Sequence, residues 1–235
     1  MFSRKFRSSA LVRHRRLFSL VYLVICCLSF LAAANAQQTT AATVTFTCDF
    51  PGSDPDHYVI SVSDDGSAIY DSNSKLNDSA DSQPFHSVFT VSQASSAHVF
   101  DLTKRVHYFE GELDSKKKNL ASTGVKTLTY KDAQKNTHAT YNYSPIPAVQ
   151  ELTEFFQSLS TTLEFGHRLD YYLRYQKLAL DQELKEMEEM SNSGGVQEIS
   201  AVAPILQKIL DDPAVIKVTR ARAQRLLQVA AAKGK

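Results

Sequence analysis

Polar and apolar positions alternate one for one from Thr43 to Phe50, placing Val44, Phe46, Cys48 and Phe50 on one face of a strand that Pro51-Gly52-Ser53-Asp54-Pro55 stops. Tyr58 to Ser63 and Ser67 to Tyr70 flank Asp64-Asp65-Gly66, a turn whose residues tolerate positive φ, so the pattern predicts a β-hairpin. Asp71 to Gln83 is rich in Ser, Asn and Asp and is expected to be an exposed loop, with a further strand from Pro84 to Val91. After Ser92 the period lengthens, and Val99, Leu102, Val106 and Phe109 make a helical stripe expected to end at Gly111. Gly124 to Tyr130 and Thr137 to Tyr143 read as two more strands, with Lys126, Leu128 and Tyr130 opposed in phase to Val125, Thr127 and Thr129.

From Pro147 the period is helical almost to the end. Val149, Leu152, Phe156, Leu159 and Leu163 share one face, and the pattern resumes through Leu169, Leu173, Leu180, Leu184 and Met187 before Ser191-Asn192-Ser193-Gly194-Gly195. An unbroken rod of this length, roughly 66 Å at about 1.5 Å per residue, is long for the chain, so a bend is expected, with Gly166 the candidate. Two shorter helices follow. One carries Ile199, Val202, Leu206 and Ile209; the other is expected to be capped by Asp212, to open at Pro213 and to bury Ile216, Ala223, Leu226 and Ala230. The fold class expected is therefore α+β: a small antiparallel sheet of five or six strands packed on one helix, followed by an all-helical C-terminal region with one long helix and a helical hairpin.

The first sixteen residues hold Arg4, Lys5, Arg7, Arg13, Arg15 and Arg16 with no acidic residue, and Leu17 to Ala34 carries no charge. Ala34 and Ala36 supply the small residues before Gln37 that a signal peptidase accepts, so cleavage is expected between Ala36 and Gln37. The competing reading is an uncleaved single-pass anchor, since about 18 apolar residues span roughly 27 Å. Either way the bulk of the chain is expected outside the cytoplasmic membrane, periplasmic or extracellular. The organisation expected is a signal peptide over 1–36, an α+β domain over 37–145 and a helical region over 146–235.

Cleavage changes the charge. It would remove six of 26 basic residues and none of the 25 acidic ones, leaving a mature balance of −5 in place of the whole chain's +1. Such a chain has no general attraction to nucleic acid, and Arg220, Arg222 and Arg225 near its C-terminus suit the negative end of a helix. Cys48 alone would survive cleavage, so no intrachain disulfide is expected, and its place in the strand pattern suits a small buried apolar side chain.

Candidate chemistry is sparse. Nucleophile-elbow, phosphate-loop, dinucleotide-loop and H-E-x-x-H motifs are absent, and no cofactor or metal is expected. Glu164 and His167 form one E-x-x-H pair, but carboxylate-bridged metal bundles need a second pair and two further Glu, so the pair is expected to be a surface Glu and a His near the Gly166 bend. His57, His86, His98, His107 and His138 are spread over separate elements. Arg168, Tyr171, Tyr172, Arg174 and Tyr175 place three tyrosines and two arginines within two helical turns, residue types that protein interfaces favour. Tyr172 is expected to join Leu169 and Leu173 in the core.

The C-terminal pair around Asp211-Asp212-Pro213 resembles a single HEAT-type helical hairpin. The order of export signal, small α+β unit and helical tail is similar to uncharacterised exported bacterial proteins, which implies an envelope or secreted origin and brings no activity. The function expected is a non-enzymatic extracytoplasmic interaction or binding module whose partner is another extracytoplasmic protein. Two alternatives stand beside it: an enzyme, such as a hydrolase, whose site assembles only in the fold, and a tethered structural protein assembling through its C-terminal helices.

Overall fold

A computed structural model of the chain describes residues 41–76, 81–117 and 119–233. The expected cleavage residues Ala34, Ala36 and Gln37, and the apolar stretch before them, lie outside the described residues.

Six strands form one antiparallel sheet: β1 Thr43–Asp49, β2 His57–Ser63, β3 Ser67–Ser74, β4 Gln83–Thr90, β5 Val125–Lys131 and β6 Asn136–Tyr141, in the order β4-β3-β2-β1-β5-β6. Period-two alternation sends Val44, Phe46, Ile60, Val62, Tyr70 and Leu128 to one buried face, while threonines and serines fill the other. The Asp-Gly turn joins β2 to β3 as expected, with Gly66 at φ 85°. The stretch expected to be a loop is shorter than read: Asp71 to Ser74 extends β3, because Ser72 and Ser74 point inward and hydrogen-bond beneath the sheet.

Helix α1, Gln93–Arg105, is capped by Ser92, whose side chain accepts from the Ser95 N–H. It stops before the expected Phe109. His107, Tyr108 and Phe109 turn left-handed at φ 51°, 56° and 64°, which costs about 1–2 kcal/mol per residue. Burial of Phe109, 1% exposed, and contact of the Tyr108 ring with Tyr130 at 4.7 Å offset that strain.

The long apolar run breaks into α2, Pro147–Tyr175, and α3, Leu180–Ser193, with a 3₁₀ turn at Lys177–Ala179 between them. The break lies at Gln176, not at Gly166. Gly166 sits inside α2 where a Cβ would come within 2.4 Å of Val202 Cγ1, so its small size serves a close approach and not a kink. A further 3₁₀ turn, Ile199–Val202, leads into α4, Ala203–Asp211, and then α5, Lys217–Lys233. Asp212 does not cap α5 as expected. Its carboxylate accepts from the Ala214 N–H within a turn, α5 starts at Lys217, and Val215 is buried while Ile216 is 54% exposed.

The fold class is α+β, and the sheet's buried face meets α2 as well as α1. Phe46 of β1 stacks on Phe156 of α2 at 5.2 Å and 2°, and Tyr70 of β3 reaches Ser160 and Glu164. Sheet and helices thus share one continuous core. Among the described residues no helix is long and apolar enough to cross a membrane.

Candidate functional site

The C-terminal half of α2 collects the residues singled out for an interface. Helical spacing of four brings the Tyr171 ring to 5.2 Å from Tyr175, and Tyr171 also meets Tyr172 edge-on at 5.7 Å. Tyr172 is half-buried against the core and donates its hydroxyl to the Leu76 carbonyl at 3.4 Å. The helix ends with this ladder, so Tyr175 is left 70% exposed and Leu178, in the next turn, 88% exposed. Leu178 is not among the residues expected to form a site. Its signal in the sequence is a phase mismatch, since it does not continue the stripe of Leu173, Leu180 and Leu184.

The cations around the ladder are held by the protein itself. Arg168 Nε donates to Glu183 Oε1 at 2.7 Å, with the guanidinium 4.9 Å from the Phe165 ring centre. Arg174 pairs with Asp170 at 2.5 Å, one helical turn back, and Lys177 with Asp212 at 2.6 Å. Burial pushes the Glu183 carboxyl above its ordinary value, and the Arg168 charge works against that rise. What the corner offers outward is therefore the aromatic and aliphatic surface of Tyr175 and Leu178, beside three cations already paired within the chain.

Glu164 and His167 do not lie as expected. Glu164 is buried, 4% exposed, beneath β3. Its Oε1 accepts from Tyr70 Oη at 2.6 Å and Ser72 Oγ at 2.7 Å, while Oε2 has no hydrogen-bond partner and lies 3.8 Å from His167 Nδ1. Burial raises this carboxyl's pKa, but the contact with His167 and the hydroxyls of Tyr70, Ser72 and Ser74 outweigh it, and the net direction is down. The same Nδ1 lies 3.1 Å from Ser74 Oγ, and the imidazole stacks on Phe85 at 3.9 Å. A nucleophile–base–acid relay needs the hydroxyl and the carboxylate on opposite ring nitrogens. Here both face one nitrogen, and Ser74 is 1% exposed, so the arrangement pins β3 to α2.

The other histidines stay apart. His57 meets Asp49 at 2.6 Å, His86 meets Asp71 at 2.7 Å and His98 meets Glu151 at 2.8 Å, all on exposed surface, while His107 and His138 stand on other elements. Among the described residues no three His, Cys, Asp or Glu side chains come together to hold a metal.

Lys126 is a further inward-facing charge, in phase with Leu128 and Tyr130 in the sequence. Its Nζ donates among the carbonyls of Thr123, Gly124 and Asn142 and the Thr123 hydroxyl, at 2.8–3.1 Å. Burial lowers the ammonium's pKa, and four oxygens for three N–H bonds leave it no donor to spare for a ligand. Compared with known proteins, the chain matches no family model and no curated protein.

Proposed function

We propose that the protein is an exported, non-enzymatic interaction module that meets another extracytoplasmic protein through the corner built by Tyr171, Tyr175 and Leu178. The observation that carries this reading is the exposure of Tyr175 and Leu178 at a helix end where Arg168, Arg174 and Lys177 are each paired with a carboxylate of the same chain. Tyrosine supplies large contact area with few rotatable bonds, and a rigid helix end presents it without a cost in backbone ordering. The basic, then apolar, then small-residue N-terminus supports export.

Truncation is a poor test, because α2 supplies Phe156 to the core of the sheet. A photo-reactive benzophenone side chain at position 175, introduced in the native host, tests the corner in the folded protein. The reading expects a defined adduct that disappears when Tyr171→Ala and Leu178→Ser are added and persists with Lys104→Ala on α1. An adduct indifferent to the ladder substitutions, or none at all, would count against it.

A further inference from the structure

At the β4 end of the sheet, no strand among the described residues pairs with the outer side of β4. The Val91 N–H bonds back to the Gly66 carbonyl at 2.9 Å, so residues 85, 87, 89 and 91 direct their backbone groups toward β3. By alternation, His86, Val88 and Thr90 direct an N–H and a C=O outward, and Pro84 a C=O alone. This edge has little of the usual protection. No Asp, Glu, Lys or Arg occurs in Gln83–Thr90, Pro84 stands only at its start, and Val88 is 70% exposed.

The helical layer forms a groove against this edge. A cavity of about 220 Å³ is lined by Phe85 and Ser87 from the inner face of β4, by Leu163 and His167 of α2, and by Val202 and Ile205. On interior strands the inner-face side chains are covered by helices, whereas Phe85 and Ser87 remain part-exposed beside this cavity. The wall is closely packed: His167 lies against Ser74 and the Phe85 ring, and Gly166 lets Val202 approach α2 closely.

We infer that β4 and this groove bind an extended peptide segment of a partner protein as a seventh strand, with its inward side chains over Val202 and Ile205. Unpaired strand groups recognise one chemistry best, another extended backbone, and the apolar groove selects for an aliphatic side chain at alternate positions. Two charges line the groove: Asp170, already paired with Arg174, and Lys208, which is exposed at the rim and favours an acidic residue at one end of that segment. Asp170 lies between this groove and the tyrosine corner, but the two proposals are tested at different residues and either can fail without the other.

The test is an amide NMR titration of the mature chain with a capped peptide, Thr-Val-Thr-Leu-Thr-Val-Glu-Glu. Saturable shifts confined to the amides of residues 85–90, 201–203 and 205–208 are expected. Val88→Pro removes only an outward N–H and leaves the bonds to β3 in place, and Ser87→Trp fills the groove from the strand side. Each should weaken binding at least about tenfold while the unfolding temperature stays close to that of the parent. Equal shifts on the opposite edge strand, β6, would overturn the inference by showing unselective edge pairing. So would the absence of saturable shifts, or undiminished binding by both variants.

Discussion

Replacing Gly166 by alanine tests whether α2 and the 3₁₀ turn before α4 meet as closely as described. In a helix interior the change alone should stabilise by about 1 kcal/mol, because alanine loses less backbone freedom. Against that, the added Cβ would stand 2.4 Å from Val202 Cγ1 and 3.2 Å from Val202 Cβ, inside a favourable carbon contact of about 3.5–4.0 Å. Overpacking of a buried contact costs about 1–3 kcal/mol, so the net effect runs from neutral to a loss of about 2 kcal/mol. Val202→Ala removes the opposing methyl groups at about 1–3 kcal/mol for the pair. In the double variant the new Cβ occupies part of the space those methyls leave, so the two changes should couple favourably by about 1 kcal/mol or more. Urea unfolding of the parent, both single variants and the double variant measures all the terms. A Gly166→Ala protein stabilised by about 1 kcal/mol, with additive behaviour in the double, would refute the close approach.

The same packing sets further outcomes. Phe156→Ala should destabilise by about 3–5 kcal/mol in the same assay, since its ring stacks on Phe46 inside the core shared by sheet and helices. Because Glu164 is held below its ordinary pKa of 4.5 in the folded chain, its stabilisation is complete above that value and is lost as pH falls through the lower folded one. Acid unfolding curves below pH 4.5 should therefore be less steep in Glu164→Gln than in the parent, and identical slopes would exclude this carboxylate as a source of acid sensitivity. Burial pushes the Cys48 thiol up, so a maleimide at neutral pH should label it only after unfolding; rapid labelling of the native protein would contradict its place in the core.

The sheet is legible in the sequence because its strands alternate and the hairpin joining β2 to β3 carries Asp-Gly. The long helix is legible from its apolar stripe, but its break is not. Gly166 looks like the flexible point, whereas the pattern of single residues cannot show that Val202, 36 positions on, occupies the space where a side chain would be. Asp212-Pro213 misleads for a related reason, since an Asx turn and a helix cap use the same side-chain-to-backbone hydrogen bond and differ only in whether the next residues continue as a helix. The tyrosine cluster is visible from spacing alone. Its exposure is not, because that depends on where α2 stops. The burial of Glu164 runs against expectation because a lone carboxylate on a helix is usually solvated, and its hydroxyl partners Tyr70 and Ser72 are more than ninety residues away in sequence.

Whether the tyrosine corner holds a partner outside the cytoplasm is decided by native mass spectrometry of the protein recovered from the extracytoplasmic fraction of its host, compared with a Tyr171→Ala, Tyr175→Ala, Leu178→Ser variant prepared in the same way. The expected result is a subunit whose mass begins at Gln37, recovered in a complex with a second protein that the variant loses while keeping its folded charge-state distribution. A free subunit in both preparations, or a complex that the variant keeps, would contradict it.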